Sequence, residues 1–313
     1  MDPLTHVVIG RAVVAAAREP HRNHAIGSAA ILGALSPDID GAIALTGWDR
    51  YVRAHQFGTH SLVGALAMAW VTAFVVGRSA RAERFAALVC AAAAGALSHV
   101  ALDLMSGARI AILWPFVDRR VSLPLVAMAD PWVIGICIAW LLLLWPARIP
   151  LRRASQVVIA ATVVFLCFKA AMLGMALRQL DGTRHEPSAL DARWGSLTGW
   201  FVFERRPDRV SASVIASRGG PPTFVMTRPL ASDTPFVRAS RSLDDVQNFL
   251  AVHEFAFPAE TAAGGGRVSV MWSDLRYCSP TRCDVWVGGT FDANGRPIAQ
   301  EVRVGSVVQQ RHN

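Results

Sequence analysis

The chain has almost no lysine: Lys169 is the only one in 313 residues. Charge of either sign is scarce too, at 17% against the rough quarter of a soluble protein. With 53% hydrophobic residues and a mean hydropathy of +0.35, such a chain is expected in a membrane. The net charge of +8 rests on arginine, and the arginines fall in short patches between apolar runs. That distribution fits topology signals. Too few aromatics interleave with the basic residues to make a nucleic-acid groove, so no nucleic-acid partner is expected. The opening "MDPLTHVVIG" lacks the basic start and small-residue cleavage site of a secretory leader. Asp2-Pro3 reads instead as a helix cap followed by proline in the first turn, and a retained N-terminus is expected.

Composition changes near residue 178. Residues 1–177 hold 15 basic and 9 acidic residues in long apolar blocks, whereas 178–313 hold 16 and 14 with most of the alternating segments. The expected fold is an α-helical membrane domain (1–177) of about six helices, five or six of them spanning, followed by a small mainly-β soluble domain (178–313). The helical segments are roughly 4–17, 25–46, 60–77, 85–105, 131–145 and 154–177. A span needs ~20 apolar residues, which the fourth and sixth meet best and the first meets least. If all six cross, one set of loops holds Arg18, Arg22, Arg78, Arg81, Arg84, Arg148, Arg152 and Arg153, and the other Arg50, Arg53, Arg109, Arg119 and Arg120. By the positive-inside rule the first set is cytoplasmic, and the soluble domain lies outside.

In the second domain "GWFVFERR", "RVSASVIAS", "TFVMTRP" and "RVSVMWSDLRY" predict strands, and "SLDDVQNFL" a short helix. "DVWVGGTF-DANGRP-IAQEVRV" predicts a hairpin turning at Asn294-Gly295. Cys278 and Cys283 lie in this domain, where an external compartment permits either a disulfide or free thiols. Cys90, Cys137 and Cys167 lie in apolar spans.

Ionisable side chains are costly in hydrocarbon, so those within the apolar part are informative. His6 starts the first segment, Asp38 and Asp40 lie in "LSPDIDG", His55 and His60 in "HQFGTHS", and His99 and Asp103 in "LSHVALDL". In the six-span topology all seven fall at the external side, which points to one polar site. His99 and Asp103, four apart, share a helix face. Histidine with carboxylate suits zinc, or manganese and related divalent ions. Seven candidates are enough for more than one ion, or for one ion with supporting residues. Each also has a structural alternative: an interfacial His6, turn or cap roles for Asp38 and Asp40, a capping His60, a solvated His55, a self-satisfied His99–Asp103 pair. His21 and His24 fall on the opposite side.

"MDPLTH", "LGALSPDID", "H-x4-H-S" and "SHVALDL" followed by "WPFVDRR" together resemble the YdjM-like family of inner-membrane metal-dependent hydrolases, in order and spacing, over roughly residues 1–135. "SDLRY", at 273–277, resembles the tail of some members. The family is distantly similar to the zinc-dependent phospholipase C and P1 nuclease group, helical enzymes that cleave phosphodiesters. The resemblance implies a multi-pass protein of the bacterial inner membrane and, as metal ligands, His6, Asp38, Asp40, His55, His60, His99 and Asp103. One departure is that His55 precedes Gln56-Phe57 where many members read Arg-Gly.

The resulting expectation is a membrane-bound hydrolase acting through metal-activated water on a phosphoester of a lipid or lipid-linked substrate, with Asp38, Asp40, His60, His99 and Asp103 as its catalytic core. Arg119 and Arg120 could clamp the phosphate, bind lipid headgroups, or pair with Asp118. A non-enzymatic protein with a structural or sensory metal site and a partner-binding external domain is the alternative. A serine mechanism through Ser61 or Ser98, and a transporter, rank below both.

Overall fold

The computed structural model describes residues 1–17, 24–79, 84–145, 149–181, 189–230 and 233–312. Arg18, His21, Arg22, Arg81 and Arg148 lie outside them. Helix α1 (Pro3–Ala17) starts as expected: Asp2 accepts the Thr5 amide at 2.9 Å and the Thr5 hydroxyl at 2.7 Å. Helix α2 (Ala25–Leu35) does not continue to residue 46 as one α-helix, because the chain tightens to a 3-10 helix over Ser36–Thr46. Pro37 at its start is the cause: it has no N–H to give the Gly33 carbonyl, which the Ser36 amide takes instead in an i→i−3 bond. Short α3 (Trp48–Ala54) precedes α4 (Leu62–Gly77), α5 (Phe85–Met105), α6 (Pro131–Leu144) and α7 (Leu151–Asp181), the last running past residue 177.

The sequence predicts five or six spans; among the described residues three segments have the length and apolarity of one, namely Ala25–Thr46, Phe85–Met105 and Leu151–Leu180. At 1.5 Å per residue, the 16 residues of α4 reach about 24 Å and the 14 of α6 about 21 Å, short of the ~30 Å hydrocarbon core. These helices are apolar outward nonetheless: Val63, Leu66, Trp70, Val71 and Phe74 on α4 and Ile138, Leu141 and Leu142 on α6 are exposed.

Small residues let α1, α2 and α5 approach closely. Ala29, Ala30, Gly33 and Ala34 of α2 meet Ala91, Ala92, Gly95 and Ala96 of α5, all but Ala91 essentially inaccessible among the alanines. A Cβ on Gly33 would lie 2.2 Å from the Ala92 carbonyl oxygen, and one on Gly95 2.2 Å from that of Ala30. Van der Waals packing of this kind holds helices together where lipid removes the hydrophobic drive.

Two antiparallel sheets follow. The first runs β1 (Ala189–Ala192), β2 (Gly199–Arg205), β3 (Arg209–Ala216), β4 (Thr223–Pro229) in spatial order. After α8 (Pro235–Ser240) and α9 (Asp244–Leu250), the second runs β5 (Ala256–Ala262), β6 (Val268–Asp274), β7 (Val285–Phe291), β8 (Pro297–Val304), β9 (Val307–His312). The β7–β8 turn is at Asn294-Gly295 as predicted, with Gly295 at φ 78°. Strands β1, β5 and β9 escape the sequence reading because each is an edge strand, and edges tolerate the weak formers of "ALDA" and the proline at 258. Cys278 and Cys283 form a disulfide.

The β part docks directly on the helices. Trp200 of β2 and Leu173, Ala176 and Leu180 of α7 share one core, and the Trp200 indole donates to the Pro124 carbonyl at 2.8 Å. The sole lysine is part of this joint. Fully buried Lys169 donates to the Ser196 and Leu197 carbonyls at 2.9 and 3.3 Å, and its ammonium lies 4.6 Å from the Trp200 ring centroid. Lys169→Met keeps the stem but strands two carbonyls, and is expected to cost about 1–3 kcal/mol, read as a lowered thermal midpoint in detergent.

Candidate metal centre

Four elements converge near the C-terminal end of α5. The 3-10 segment brings Asp38 and Asp40, the turn before α4 brings His55 and His60, α5 brings His99 and Asp103, and α1 brings His6. The turn is pinned by Ser61, whose hydroxyl donates to the Gly58 carbonyl at 2.8 Å and caps α4 by accepting the Gly64 amide at 2.9 Å. Ser98 likewise spends its hydroxyl on the Gly95 carbonyl, at 2.7 Å. Both serines of the nucleophile alternative therefore have local structural work.

Asp38, His60, His99 and Asp103 form one group, each offering a ligand atom within 4.8 Å of the others. His60 Nε2 lies 3.2 Å from His99 Nε2, 3.4 Å from Asp38 Oδ1 and 3.4 Å from Asp103 Oδ2. His99 Nε2 lies 3.5 Å from Asp38 Oδ1 and 3.3 Å from Asp103 Oδ2. Five edges of a tetrahedron are thus between 3.2 and 3.5 Å. The centre of a regular tetrahedron with such edges is about 2.1 Å from each corner, the zinc–nitrogen and zinc–oxygen distance. His60, His99 and Asp103 are buried, while the Asp38 side chain is 36% exposed and forms the open side.

The hydrogen bonds set the tautomers. His99 Nδ1 lies 2.7 Å from the Ala34 carbonyl, which can only accept, so Nδ1 carries the proton. Thr59 gives its one hydroxyl proton to Asp40 Oδ2 at 2.9 Å, so toward His60 Nδ1, at 3.1 Å, it can only accept. In their neutral forms both rings therefore point an Nε2 lone pair at the other, 3.2 Å apart. Two lone pairs and two carboxylates facing inward repel unless a cation sits among them. Burial lowers the basicity of His60, but Asp103, Asp38 and Asp40 outweigh it and push its pKa up to about 10. Two imidazoles and two carboxylates converging on one point are a donor set that fits a divalent metal.

Asp40, His55 and His60 form a second group sharing His60. Asp40 Oδ1 accepts from His55 Nδ1 at 2.8 Å, and Oδ2 lies 3.4 Å from His60 Nδ1. Asp40 thus sits behind both rings, as the carboxylate does in carboxylate–histidine–metal arrangements. His55 stacks on Tyr51 of α3 with centroids 4.6 Å apart. Burial and Asp40 raise the Tyr51 phenol to about 12. Fully buried His6 stacks on His99 at 3.7 Å with its Nε2 3.3 Å from Asp103 Oδ1, yet neither ring nitrogen has an aligned hydrogen-bond partner among the described residues. The Met1 amine also lies against Asp103 Oδ1.

Arg120 donates to the Arg53 carbonyl at 2.7 Å and the His55 carbonyl at 3.5 Å, bracing the ligand-bearing turn, while Arg119 is exposed. Sequence reasoning missed Tyr51, Thr59 and the Ala34 carbonyl. Thr59 could have been found beside His60; a backbone acceptor 65 residues from its donor leaves no sequence signal.

Three segments able to cross a bilayer, among the described residues, and a buried His–Asp cage at the C-terminal ends of two of them define a membrane protein with a candidate metal site. The chain belongs to the YdjM inner membrane protein family, whose model matches residues 1–178. It is also similar to the uncharacterized protein YfhP of Bacillus subtilis (strain 168), 27% identical over 140 residues, which are 42% of this chain. The match spans 43% of YfhP, less than half its length. No solved structure matches the chain.

Proposed function

We propose that this protein is a metal-dependent hydrolase that cleaves a phosphoester of a lipid or lipid-linked substrate at the outer face of the inner membrane. The observation that carries the reading is the pair of inward Nε2 lone pairs closed by Asp38 and Asp103, with Asp38 alone reaching solvent. A divalent ion held there, zinc by donor type and spacing, supplies Lewis acidity and acidifies water at neutral pH. His60, His99 and Asp103 would hold it from the buried side, and Asp38 from the side that reaches solvent. Asp40 and the Ala34 carbonyl fix the ring orientations. His55, its Nδ1 proton committed to Asp40 and its side chain 20% exposed, keeps Nε2 free to accept a proton from the attacking water. His6 backs Asp103 and His99. The external placement draws support from the Cys278–Cys283 disulfide. Arg78, Arg84, Arg152 and Arg153 add support, since they flank the helix ends opposite the cage.

A second reading, a structural or sensory metal site, draws support from one feature: four protein donors already complete a tetrahedral shell. One experiment separates the two. The detergent-purified protein is stripped with chelator, reloaded with zinc or manganese, and assayed for phosphate-ester release from phospholipids in mixed micelles. Metal-dependent turnover that falls ~10²–10⁴-fold in His55→Ala, with metal content kept, is the expected result. Full metal content with no turnover in any form would leave the structural reading standing.

A further inference from the structure

The loop from Ile110 to Val121 is closed at its base by paired backbone bonds of 3.0 and 2.9 Å between Ile110 and Val121. Its tip is tied by Trp114, Phe116 and Val117 amides to the Ala111 and Leu113 carbonyls, at 3.0 to 3.2 Å. This ordered tip presents Leu113, Phe116 and Val117 at 51%, 83% and 44% exposure, followed at once by Asp118 and exposed Arg119. Rigidly held apolar side chains in water are unfavourable, and contiguous ones mark a membrane or partner surface.

The loop's attachment says which. The Leu62 amide, first in α4, donates to the Ile112 carbonyl at 3.0 Å, so the loop sits on the N-terminal end of that helix. Helix α4 carries an exposed apolar column, from Phe74 through Trp70 and Leu66 to Val63 and Leu62, and Leu113, Phe116 and Val117 are exposed on the loop bonded to its first residue. Helix α4, at 16 residues, is alone about 6 Å short of the hydrocarbon thickness, and an inserted loop at this end would make up the deficit. The same loop grips the ligand turn: the Ala111 amide donates to the Gln56 carbonyl at 3.2 Å, and Trp114 packs on Phe57 with ring centroids 5.9 Å apart. Arg120 closes on Arg53 and His55 from its far side.

We propose that the 113–117 tip inserts into the outer hydrocarbon layer, with Arg119 at the headgroup level. The open side of the cage is thereby set at the membrane interface, to receive an amphiphile from the bilayer rather than a solute from water. Only the last clause rests on the hydrolase reading.

The test uses the full chain in phosphatidylcholine–phosphatidylglycerol vesicles. In a Cys90→Ser/Cys167→Ser background, Phe116→Cys, Val117→Cys and Arg119→Cys are spin-labelled one at a time; Cys137 is buried and Cys278 and Cys283 are bonded. Collision with oxygen, which partitions into lipid, is compared with collision with a water-soluble nickel chelate. Oxygen is expected to dominate at 116 and 117 and the chelate at 119. Chelate dominance at 116 and 117 would place the tip in water, and low collision with both would place it against protein, such as a second copy; either overturns the proposal. Because 116 and 117 are separate labels on exposed positions, failure of one to fold leaves the other to decide. Metal content and turnover are not read here, so loss of the hydrolase reading would leave the insertion result intact.

Discussion

His99→Ala is expected to reduce bound divalent metal to near zero, as read by elemental analysis of protein purified in detergent. The ring contributes one of the four donors at the cage, and its removal leaves His60 Nε2, Asp38 Oδ1 and Asp103 Oδ2 around an enlarged opening. Asp103→Asn should do the same without opening a cavity, since it exchanges one carboxylate oxygen for an amide of the same shape. Asp103 faces three imidazoles, with His6 and His99 at 3.3 Å and His60 at 3.4 Å. Asp40→Asn is the graded control. Asp40 holds His55 Nδ1 at 2.8 Å and lies 3.4 Å from His60 Nδ1, so through ring orientation a loss of ~10–100-fold in metal affinity is expected. A His99→Ala protein that folds and retains full metal content would remove the cage from the account of this protein. His99 and Asp103 would then stand as a buried polar pair joining helices.

The second large effect is remote from the donors. Gly95→Ala puts a methyl 2.2 Å from the Ala30 carbonyl oxygen and 2.7 Å from the Ala34 amide nitrogen. Neither can yield as a flexible side chain would, so α2 must move away from α5. Overpacking of this kind costs about 1–3 kcal/mol. The displaced residue Ala34 carries the carbonyl that fixes His99 Nδ1 at 2.7 Å. A packing change with no donor removed is therefore expected to lower both the thermal midpoint and the metal affinity. Gly135→Ala on α6 is the matched control, because nothing lies within 4 Å of its added Cβ. Equal metal affinity in the two variants would mean that the Ala34 bond has no part in setting the site.

Much of this was legible beforehand because the signals are local. The alternation of "RVSASVIAS" and the turn chemistry of Asn294-Gly295 act within a few residues, and β3 and the β7–β8 turn form where they say. The seven ionisable residues announced themselves because charge is rare in so apolar a chain, and the fold brings them to one region. Span number was less legible. Hydropathy counts apolar residues but does not register where a helix ends, so 25–46 read as one helix although Pro37 tightens its second half. Helix α4 reads like a span because its residues are apolar throughout, but its 16 residues are too few to cross alone.

By itself, then, the sequence determined the division into an apolar helical part and a β part, the identities of the ligand-type residues, and the caps and turns that start the elements. The tertiary structure alone sorted those residues into the Asp38–His60–His99–Asp103 group and the Asp40–His55–His60 group, set Arg120 against the Arg53 and His55 carbonyls, and placed Lys169 at the joint between the two parts. The reason is physical. Which atom of a histidine faces inward depends on the acceptor behind it, and here that is the carbonyl of Ala34 or the hydroxyl of Thr59. The Ala34 carbonyl becomes a neighbour of His99 only when helices without large side chains close to contact distance.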